Sequence, residues 1–294
     1  MSKILVTGCS GQMGHDVSVD LIEHGYGVLS PSHVEMDLSD FNSVKQYLDR
    51  NKPSHVIHCA AWTKVDLAED DPDACRAVNV TGTRALAEWC HKNDVKVLYI
   101  STDYVFPGTG DKPWTVDDQT DPINVYGMSK RDGEEFVRKL EKHFIVRVSW
   151  VFGINGNNFV NTMIALSKKY DKVRVVADQY GSLTYTADLA PMLRQMMESD
   201  CYGTYHACNS GICTWYDIAC EIFRLIGADV ECIAIPSSEY PMRAKRPLNS
   251  RLDTSSITKN GFDPLPDWKD ALERYIKSIY DEDETRVPVA STYL

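Results

Sequence analysis

The first half of the chain predicts an α/β fold built on a doubly wound parallel sheet. Two observations support this: short apolar runs alternate with helical patterns, and a glycine-spaced turn directly follows the first run. Five of the apolar runs have the length and continuity of buried parallel strands. They cover residues 3–7, 27–30, 55–59, 95–101 and 143–149.

Helical patterns fill the connections between these runs. Each connection is long enough for the crossover that a pair of parallel strands requires. Asp40 and Asp71 stand immediately before two of the patterns, where a carboxylate can cap the first turn of a helix. The predicted helices cover residues 13–24, 41–51, 72–93 and 125–142.

Composition narrows the class of protein without selecting an activity. The chain has 294 residues, and 43% hydrophobic and 25% charged residues are typical of a soluble globular protein. The net charge of -11 argues against nucleic-acid or anionic-membrane partners, which favour a basic surface. Nine cysteines without a Cys-x-x-Cys pair predict reduced thiols and no zinc ribbon. With neither a leader pattern nor a long apolar run, the sequence predicts a cytoplasmic protein.

The turn after the first strand predicts a dinucleotide site of the Rossmann type. Gly8, Gly11 and Gly14 are spaced so that the chain can turn tightly, approach a pyrophosphate and pack a helix against the sheet. The amide groups and dipole of that helix then face the phosphates. Ser10, Gln12 and Met13 complete the predicted cofactor-binding turn.

The ends of the second and third strands extend this site. Ser30 closes the second strand with no carboxylate at residues 30–32, and His33 follows, so NADPH is favoured while NADH stays open. Small residues close the third strand and allow the backbone to approach the nicotinamide ribose. The further predicted cofactor contacts are Asp37 and Leu38 at the adenine, and Cys59, Ala60, Ala61 and Thr63 near the nicotinamide.

Tyr126 and Lys130 are the predicted reacting pair. Four residues apart on a helix, they project from one face, although about one such Tyr-x-x-x-Lys pair is expected by chance. An ammonium beside the phenol should lower its pKa, so that Tyr126 can give a proton to a carbonyl oxygen while Lys130 binds the ribose. Thr102 ends the fourth strand at the carboxyl edge of the sheet and can share that oxygen.

After Trp150 the pattern becomes irregular, which predicts a change of domain. Residues 1–150 would form the dinucleotide-binding domain, which also receives part of 178–205, and residues 151–280 a smaller mixed α/β domain. Helices are predicted at 159–169, 187–198, 215–226 and 267–280, with strands near 204–207 and 230–235. The acidic stretch 281–294 is predicted to be a frayed tail.

Several motifs in fixed order resemble the dTDP-4-dehydrorhamnose reductases, which are extended short-chain dehydrogenases/reductases. The resemblance covers roughly residues 1 to 280. The motifs are Gly8-x-x-Gly11-x-x-Gly14, Ala60-Ala-Trp-Thr63-x-Val-Asp66, Ser101-Thr-Asp-Tyr-Val-Phe-Pro-Gly108, Tyr126-x-x-x-Lys130, Val148-Ser-Trp150, Gly156-Asn-Asn-Phe159, Asp178-Gln179 and Lys245-Arg-Pro247.

The resemblance implies reduction of a 4-keto sugar nucleotide to dTDP-L-rhamnose by NADPH, with Thr102, Tyr126 and Lys130 as the catalytic set. It also implies that Trp150 contacts the sugar. The full set of implied substrate contacts is Thr63, Thr102, Asp103, Tyr104, Tyr126, Trp150, Asn158, Phe159 and Arg246. Trp62 departs from the histidine common in the family, and Met13 from leucine. No metal site is predicted, and a homodimer is left open.

Two other functions share parts of this pattern. A nucleotide-sugar epimerase or dehydratase has the same glycines and Tyr-x-x-x-Lys, but dehydration needs an added acid-base carboxylate, where this chain has Tyr104 after Asp103. A non-catalytic NADP-binding regulatory subunit would not need Thr102, Tyr126 and Lys130 together. Their joint presence favours an enzyme.

Overall fold

The computed structural model describes residues 3 to 281 and confirms the predicted α/β class. Its centre is a six-stranded sheet, and every pair of neighbouring strands in it is parallel. The strands are β1 Lys3–Thr7, β2 Gly27–Leu29, β3 His55–His58, β4 Lys96–Thr102, β5 His143–Val148, β6 Val151–Phe152, β7 Lys172–Val176, β8 Tyr180–Gly181, β9 Thr184–Tyr185, β10 Gly203–His206, β11 Cys213–Thr214 and β12 Glu231–Ile235.

Helices cover both faces of the sheet and build most of the second half. They are α1 Gln12–Glu23, α2 Phe41–Asn51, α3 Val65–Asp70, α4 Pro72–Arg76, α5 Thr83–Lys92, α6 Val125–Val137, α7 Phe159–Ser167, α8 Thr186–Glu198, α9 Trp215–Leu225, α10 Ser255–Lys259 and α11 Trp268–Asp281. A π-helical segment, Ala77–Gly82, joins α4 to α5, and short 3-10 turns lie at Asp103–Val105 and Ser237–Glu239. As predicted, Asp40 caps α2 and Asp71 caps α4.

The strand order is β10-β5-β4-β3-β1-β2, so the winding direction reverses between β1 and β3. The register pairs Thr7 with His58 and Thr102 with Val148. The carboxyl ends of β1, β3 and β4 therefore meet at one edge of the sheet, which is where ligands of doubly wound folds bind.

Three large apolar clusters and a fourth, smaller one hold the described part of the structure together. One lies between the sheet and the pair α1 and α8, and the second lies under α2 and α5, where Val44 and Leu48 repeat at helical spacing. The third packs α7, α9 and α11 beside the parallel pair β7 and β12. Most of the fold's stability comes from these clusters, because burying one large aliphatic side chain contributes about 1.5–3 kcal/mol.

The chain after residue 178 returns to the first half. Strand β10 pairs with β5, and α8 packs on α1, so both elements belong to the layers around the large sheet. The boundaries of the two domains stay a prediction, and the acidic stretch lies almost wholly outside the described residues.

All nine cysteines are free, in agreement with the predicted reduced thiols. In the described part of the chain, no helix is both long and apolar enough to cross a bilayer.

Some predicted elements were wrong in detail. The helix predicted at 72–93 is broken by the π-helical Ala77–Gly82, where Gly82 lies so close to Leu38 that a Cβ would be 2.4 Å from its carbonyl oxygen. The helix predicted at 125–142 ends at Val137, because the chain must turn to enter β5. Helix α3 and strand β7 were missed, and so were the two-residue strands, which are too short for an alternating pattern to reveal.

Candidate active site

The glycine turn has the geometry that a pyrophosphate site requires. Gly8 has φ of 73°, a conformation that favours glycine, and a Cβ there would lie 2.8 Å from the Ala60 backbone. A Cβ on Gly14 would lie 2.3 Å from the Gly8 carbonyl oxygen, so α1 begins directly against the turn. Among the described residues no side chain caps α1, and its first amide groups are left for a ligand. The site therefore fits a dinucleotide phosphate.

Gln12 connects this turn to the second half of the chain. Its Oε1 accepts hydrogen bonds from the Gly153 amide at 2.8 Å and from Asn158 Nδ2 at 3.0 Å. Ser10 is exposed at the turn, whereas the Met13 side chain is buried in the apolar core, so only the backbone of Met13 can face a ligand. The Gln12 contacts hold the loop before α7 beside the cofactor turn.

The end of β2 carries a carboxylate that the sequence argument missed. Glu35 Oε2 accepts hydrogen bonds from the Ser32 amide and hydroxyl, both at 2.8 Å, because the chain folds back after Ser30. His33 Nε2 lies 3.5 Å from Asp37 Oδ1, and hydrogen bonds from Ser39 lower the pKa of Asp37. Residues 30–32 themselves hold no carboxylate, as the sequence shows, and this contact over three residues brings the Glu35 carboxylate next to Ser32.

The end of β3 is fixed by a buried polar network. The Ala60 amide donates to Thr7 Oγ1 at 3.0 Å, and that hydroxyl lies 2.7 Å from His58 Nδ1. Asn79, in the π-helical segment, accepts from the Trp62 amide at 2.7 Å and donates to Ser129 Oγ at 2.9 Å. It therefore joins the loop after β3 to the helix that carries Tyr126 and Lys130. Sequence reasoning did not identify Asn79, since nothing in the pattern revealed a π-helix.

Cys59, Ala61 and Thr63 lie on this same loop. Cys59 and Ala61 are half-buried, and burial raises the pKa of the Cys59 thiol. The Thr63 side chain is exposed at the rim. Leu38 packs against Gly82 behind the loop, so the predicted adenine contacts, Asp37 and Leu38, lie between β2 and α2.

The structure brings Thr102 and Tyr126 together at the carboxyl edge. Thr102 Oγ1 donates to Asp103 Oδ1 at 2.9 Å, and its hydrogen bond to the Tyr126 phenol partly offsets the effect of burial on the phenol pKa. The first turn of α6 lies close to the 3-10 turn, since a Cβ on Gly127 would be 2.1 Å from the Tyr104 carbonyl oxygen. The Tyr104 and Tyr126 rings meet edge to face with centroids 5.7 Å apart. This packing aims the phenol beside the Thr102 hydroxyl.

The expected effect of Lys130 on the phenol pKa is wrong for this arrangement. Desolvation dominates and raises the pKa of Tyr126 above its ordinary value, with Asp103 and Tyr104 adding to the rise. Lys130 is itself only 2% exposed, and burial lowers its pKa to about 7. The phenol is therefore held protonated, as a proton donor must be.

Asp103 is a buried carboxylate with an unused acceptor. It is 2% exposed, and its Oδ2 has no hydrogen-bond partner among the described residues. Desolvation raises the pKa of Asp103 to about 6, against hydrogen bonds from Ser250 and Thr102 that favour the charged form. An unpaired buried acceptor is costly, so this atom fits a ligand hydroxyl.

Trp150 heads an aromatic wall on the other side of the site. It has φ of 47°, a strained conformation for a bulky residue, and it stacks on Trp215 with centroids 4.0 Å apart. The Phe159 ring contacts Trp215 at 4.7 Å. Gly181 lies behind the wall, where a Cβ would be 2.8 Å from the Trp150 ring. Trp215 and Gly181 were not identified from the sequence, because their approach to Trp150 is tertiary.

Asn158 and Arg246 are committed to contacts within the protein. Asn158 caps the start of α7. Its Nδ2 donates hydrogen bonds to Tyr275 Oη at 2.9 Å and to Gln12 Oε1. Arg246 Nη2 donates to Asp66 Oδ2 at 2.5 Å, and its guanidinium lies 6.0 Å from the Tyr104 ring centroid. Contact of either residue with a nucleotide stays a prediction. Within the described residues no group of three or more His, Cys, Asp or Glu side chains could hold a metal ion.

Comparisons with known proteins identify the family of this chain. The family model described as the RmlD substrate binding domain matches residues 2–281. A dTDP-4-dehydrorhamnose reductase from Streptomyces griseus is 41% identical over 276 residues, which span 91% of each chain. The chain belongs to the dTDP-4-dehydrorhamnose reductase family. The resemblance found in the sequence motifs is thereby confirmed.

Two further members show the extent of the similarity. The crystal structure of a dTDP-4-dehydrorhamnose reductase from Bacillus anthracis in complex with NADP superposes with a TM-score of 0.91, at 38% identity over 95% of this chain and 100% of that one. A dTDP-4-keto-6-deoxy-D-glucose reductase from Streptomyces niveus is 35% identical over 271 residues, or 91% of this chain and 94% of its own. The family thus includes reductases named for different 4-keto sugars.

Proposed function

We propose that this enzyme reduces the 4-keto group of dTDP-4-dehydro-L-rhamnose to give dTDP-L-rhamnose. The observation that carries the proposal is the contact between Thr102, at the carboxyl end of β4, and the protonated Tyr126 on α6. The same helix carries the buried Lys130. Family membership supplies the reaction class, since the members named above are reductases of 4-keto sugar nucleotides.

The cofactor of this reaction is NADPH, with NADH as an alternative, and when bound it supplies the hydride. The Gly8 to Gly14 turn and the uncapped start of α1 would hold its pyrophosphate. The loop Cys59 to Thr63, tied down by Asn79, would lie along the nicotinamide side.

Tyr126 gives its phenolic proton to the C4 oxygen as the carbonyl is reduced. Burial keeps the phenol protonated until the oxygen becomes basic. The Thr102 hydroxyl would donate a second hydrogen bond to that oxygen once its single proton turns away from Asp103 Oδ1. Lys130, one turn after Tyr126 on α6, acts as a cation that stabilises the phenolate left after proton transfer. It also binds the nicotinamide ribose. The chain therefore supplies both the proton and the charge stabilisation.

The remaining predicted residues would hold the sugar nucleotide. The free Oδ2 of Asp103 suits a sugar hydroxyl, and the face of Trp150 suits the apolar side of the sugar ring. Arg246 carries the positive charge nearest Tyr104, and a diphosphate could draw it from Asp66. Phe159 and Thr63 would complete the rim.

A second candidate is reduction of a 4-keto-6-deoxy sugar of different stereochemistry, which the relative from Streptomyces niveus favours. The same Tyr126, Thr102 and Lys130 would act on either substrate, and only the contacts around Asp103 and Trp150 could distinguish them. Dehydration is disfavoured, because the phenol of Tyr104, whose pKa burial raises to about 12, cannot replace a carboxylate that titrates near neutrality.

The test is a panel of 4-keto sugar nucleotides with NADPH and with NADH, followed by the absorbance of the reduced nicotinamide. We expect loss of absorbance with the dTDP-4-keto-6-deoxyhexoses, and dTDP-L-rhamnose as the product by mass and NMR. Tight cofactor binding without turnover of any substrate would instead identify a regulatory subunit. Product with regenerated cofactor would identify an epimerase.

Cellular location and assembly belong to the same proposal. Nine free thiols agree with a reducing compartment, so we place the enzyme in the cytoplasm. Small-molecule substrates are the expected partners. Sedimentation velocity of the purified chain would decide between a monomer and the homodimer that the sequence left open.

A further inference from the structure

We propose that Tyr99 is a positioning residue for Lys130: the face of its ring holds the lysine ammonium in place beneath the active site. The proposal rests on the function given above, since it concerns how the buried lysine is kept ready for Tyr126. Tyr99 lies on β4, three residues before Thr102, and it is fully buried. No motif in the sequence marked it.

The contact between the Lys130 ammonium and the Tyr99 ring is short. Lys130 Nζ lies 4.0 Å from the centroid of the Tyr99 ring, well within the range of a cation–π interaction. In the described part of the chain Lys130 Nζ has no ion pair and no hydrogen bond, so the ring is the group that meets the ammonium directly. A cation held in a dry site needs such a partner, because its desolvation is otherwise uncompensated.

The nearest carboxylate is occupied elsewhere. Glu134, one turn after Lys130 on α6, accepts hydrogen bonds from Arg147 at 2.7 and 2.9 Å and from Ser101 at 2.6 Å. Arg138 adds a further bond at 3.1 Å. Much of the Glu134 charge is therefore neutralised, and its effect on Lys130 is correspondingly smaller.

The Tyr99 ring is itself held rigidly. A Cβ on Gly133 would lie 2.5 Å from the Tyr99 hydroxyl oxygen, and the ring packs against His58 with centroids 5.4 Å apart. His58 is a neutral neighbour, because burial and the Lys130 charge lower its pKa to about 3. The titratable and charged groups that face Lys130 are Tyr99 on β4, His58 and Cys59 at the end of β3, Cys75 on α4, and Tyr126 and Glu134 on α6.

The sign of the pH effect follows from this arrangement. The electron-rich ring favours the charged form of Lys130, so a ring with less electron density on its face should lower the pKa of Lys130 below its value of about 7. The ammonium would then be lost at a lower pH. Turnover should fall most on the alkaline side, and little on the acidic side.

The experiment replaces Tyr99 by phenylalanine and by its mono-, di- and trifluoro analogues. These residues keep the shape of the ring, so folding is preserved, while each fluorine withdraws electron density from its face. The matched control carries the same series at Phe144, which is buried in β5 of the same sheet and packs on Tyr202 and Tyr205. Two quantities are measured: the pKa of Lys130 by NMR of isotope-labelled lysine, assigned with Lys130→Arg, and kcat against pH.

We expect Tyr99→Phe to be close to wild type and the trifluoro variant to lose about tenfold in kcat at about pH 8, with less than about threefold loss at about pH 6. The Lys130 pKa should fall stepwise with fluorine content, and the Phe144 series should leave both quantities unchanged. A Lys130 pKa that ignores fluorine content would overturn the proposal. So would a Lys130 pKa that moves while the kcat profile stays fixed, because Tyr99 would then not act on turnover.

The NMR measurement separates this proposal from the proposed function. If the wild-type protein reduced no keto sugar while the Lys130 pKa still followed fluorine content, the reductase assignment would fail and the contact between Tyr99 and Lys130 would stand. Normal reduction with a flat Lys130 pKa would leave the assignment intact and remove the role of Tyr99.

Discussion

The proposed cofactor side and the proposed sugar side of the site are built in different ways. On the cofactor side, Gly8, Gly11 and Gly14 lie in one continuous turn, and the contacts that shape it are mostly between neighbours in the chain. On the sugar side, Trp150 is held by Gly181 and Trp215, which come from separate strands and helices. A continuous turn can be recognised from spacing alone. A wall assembled from distant segments depends on the fold.

The difference also has an energetic side. Binding a phosphate at the start of a helix uses backbone amides that would otherwise be unpaired, so the cofactor turn is formed at little cost. The sugar side contains two unfavourable features. The backbone of Trp150 is strained in a left-handed conformation, and the buried carboxylate of Asp103 is desolvated and only partly paired. We therefore expect substitutions on the cofactor side to change mainly cofactor binding, and substitutions on the sugar side to change mainly binding of the keto sugar.

Tyr126 lies between the two sides and should give the largest effect. Tyr126→Phe removes the proton donor and keeps the ring, so kcat should fall by about 10²–10⁴-fold while the Kd for NADPH stays within about twofold. Single-turnover kinetics and fluorescence titration measure the two quantities. Tyr170→Phe, at an exposed tyrosine remote from the site, is the control. Near-normal turnover of Tyr126→Phe would contradict the assignment of the donor.

Asp103→Asn should weaken the sugar side while stabilising the fold. The asparagine side chain has one acceptor oxygen where the aspartate has two, so it can lose the hydrogen bond that we propose from a sugar hydroxyl. We therefore expect kcat/KM to fall about tenfold or more, with cofactor affinity unchanged. Because folding raises the pKa of Asp103 to about 6 from 3.8, the charged form opposes folding at high pH.

The stability gain in Asp103→Asn should therefore be present at about pH 8, of the order of 2 kcal/mol, and should vanish as pH falls below the unfolded value near 3.8. Urea unfolding at several pH values measures it. A variant that is less stable than wild type at about pH 8 would show that Asp103 is not a strained carboxylate.

Gly181→Ala tests the sugar side from behind. The added methyl group would lie 2.8 Å from the Trp150 ring and 3.1 Å from Ser250 Cβ, so the indole must move. KM for the keto sugar should rise by about tenfold, equivalent to about 1.4 kcal/mol, while the Kd for NADPH stays constant. Equal losses for both ligands would indicate general unfolding instead, and would remove the distinction between the sides.

The smallest effect is expected at the end of β2. Catalytic efficiency should be higher with NADPH than with NADH, and Glu35→Gln should increase that ratio by about three- to tenfold, because it removes a negative charge beside Ser32. Ser30→Asp should reverse the preference by adding a charge there. Kinetics with both cofactors on all three proteins decide the matter. A ratio that neither substitution moves would mean that the 2′-phosphate binds elsewhere.

Periodicity and spacing were sufficient to predict the alternation of strands and helices in the first half of the chain. They also predicted the caps at Asp40 and Asp71 and the turn from Gly8 to Gly14. These features depend on contacts between near neighbours in sequence, and in a parallel sheet consecutive strands reach one edge in a known direction. For the same reason Thr102, Tyr126 and Lys130 could be assigned to a common site before the fold was known.

Only the tertiary structure could decide the electrostatic state of that site. Burial holds the Tyr126 phenol protonated and makes the Lys130 ammonium dependent on the Tyr99 ring, whereas the sequence placed a cation beside the phenol and predicted the opposite shift. From its π-helical segment, Asn79 joins the loop after β3 to helix α6. Desolvation and long-range contact depend on which surfaces exclude water after folding, and no local pattern carries that information.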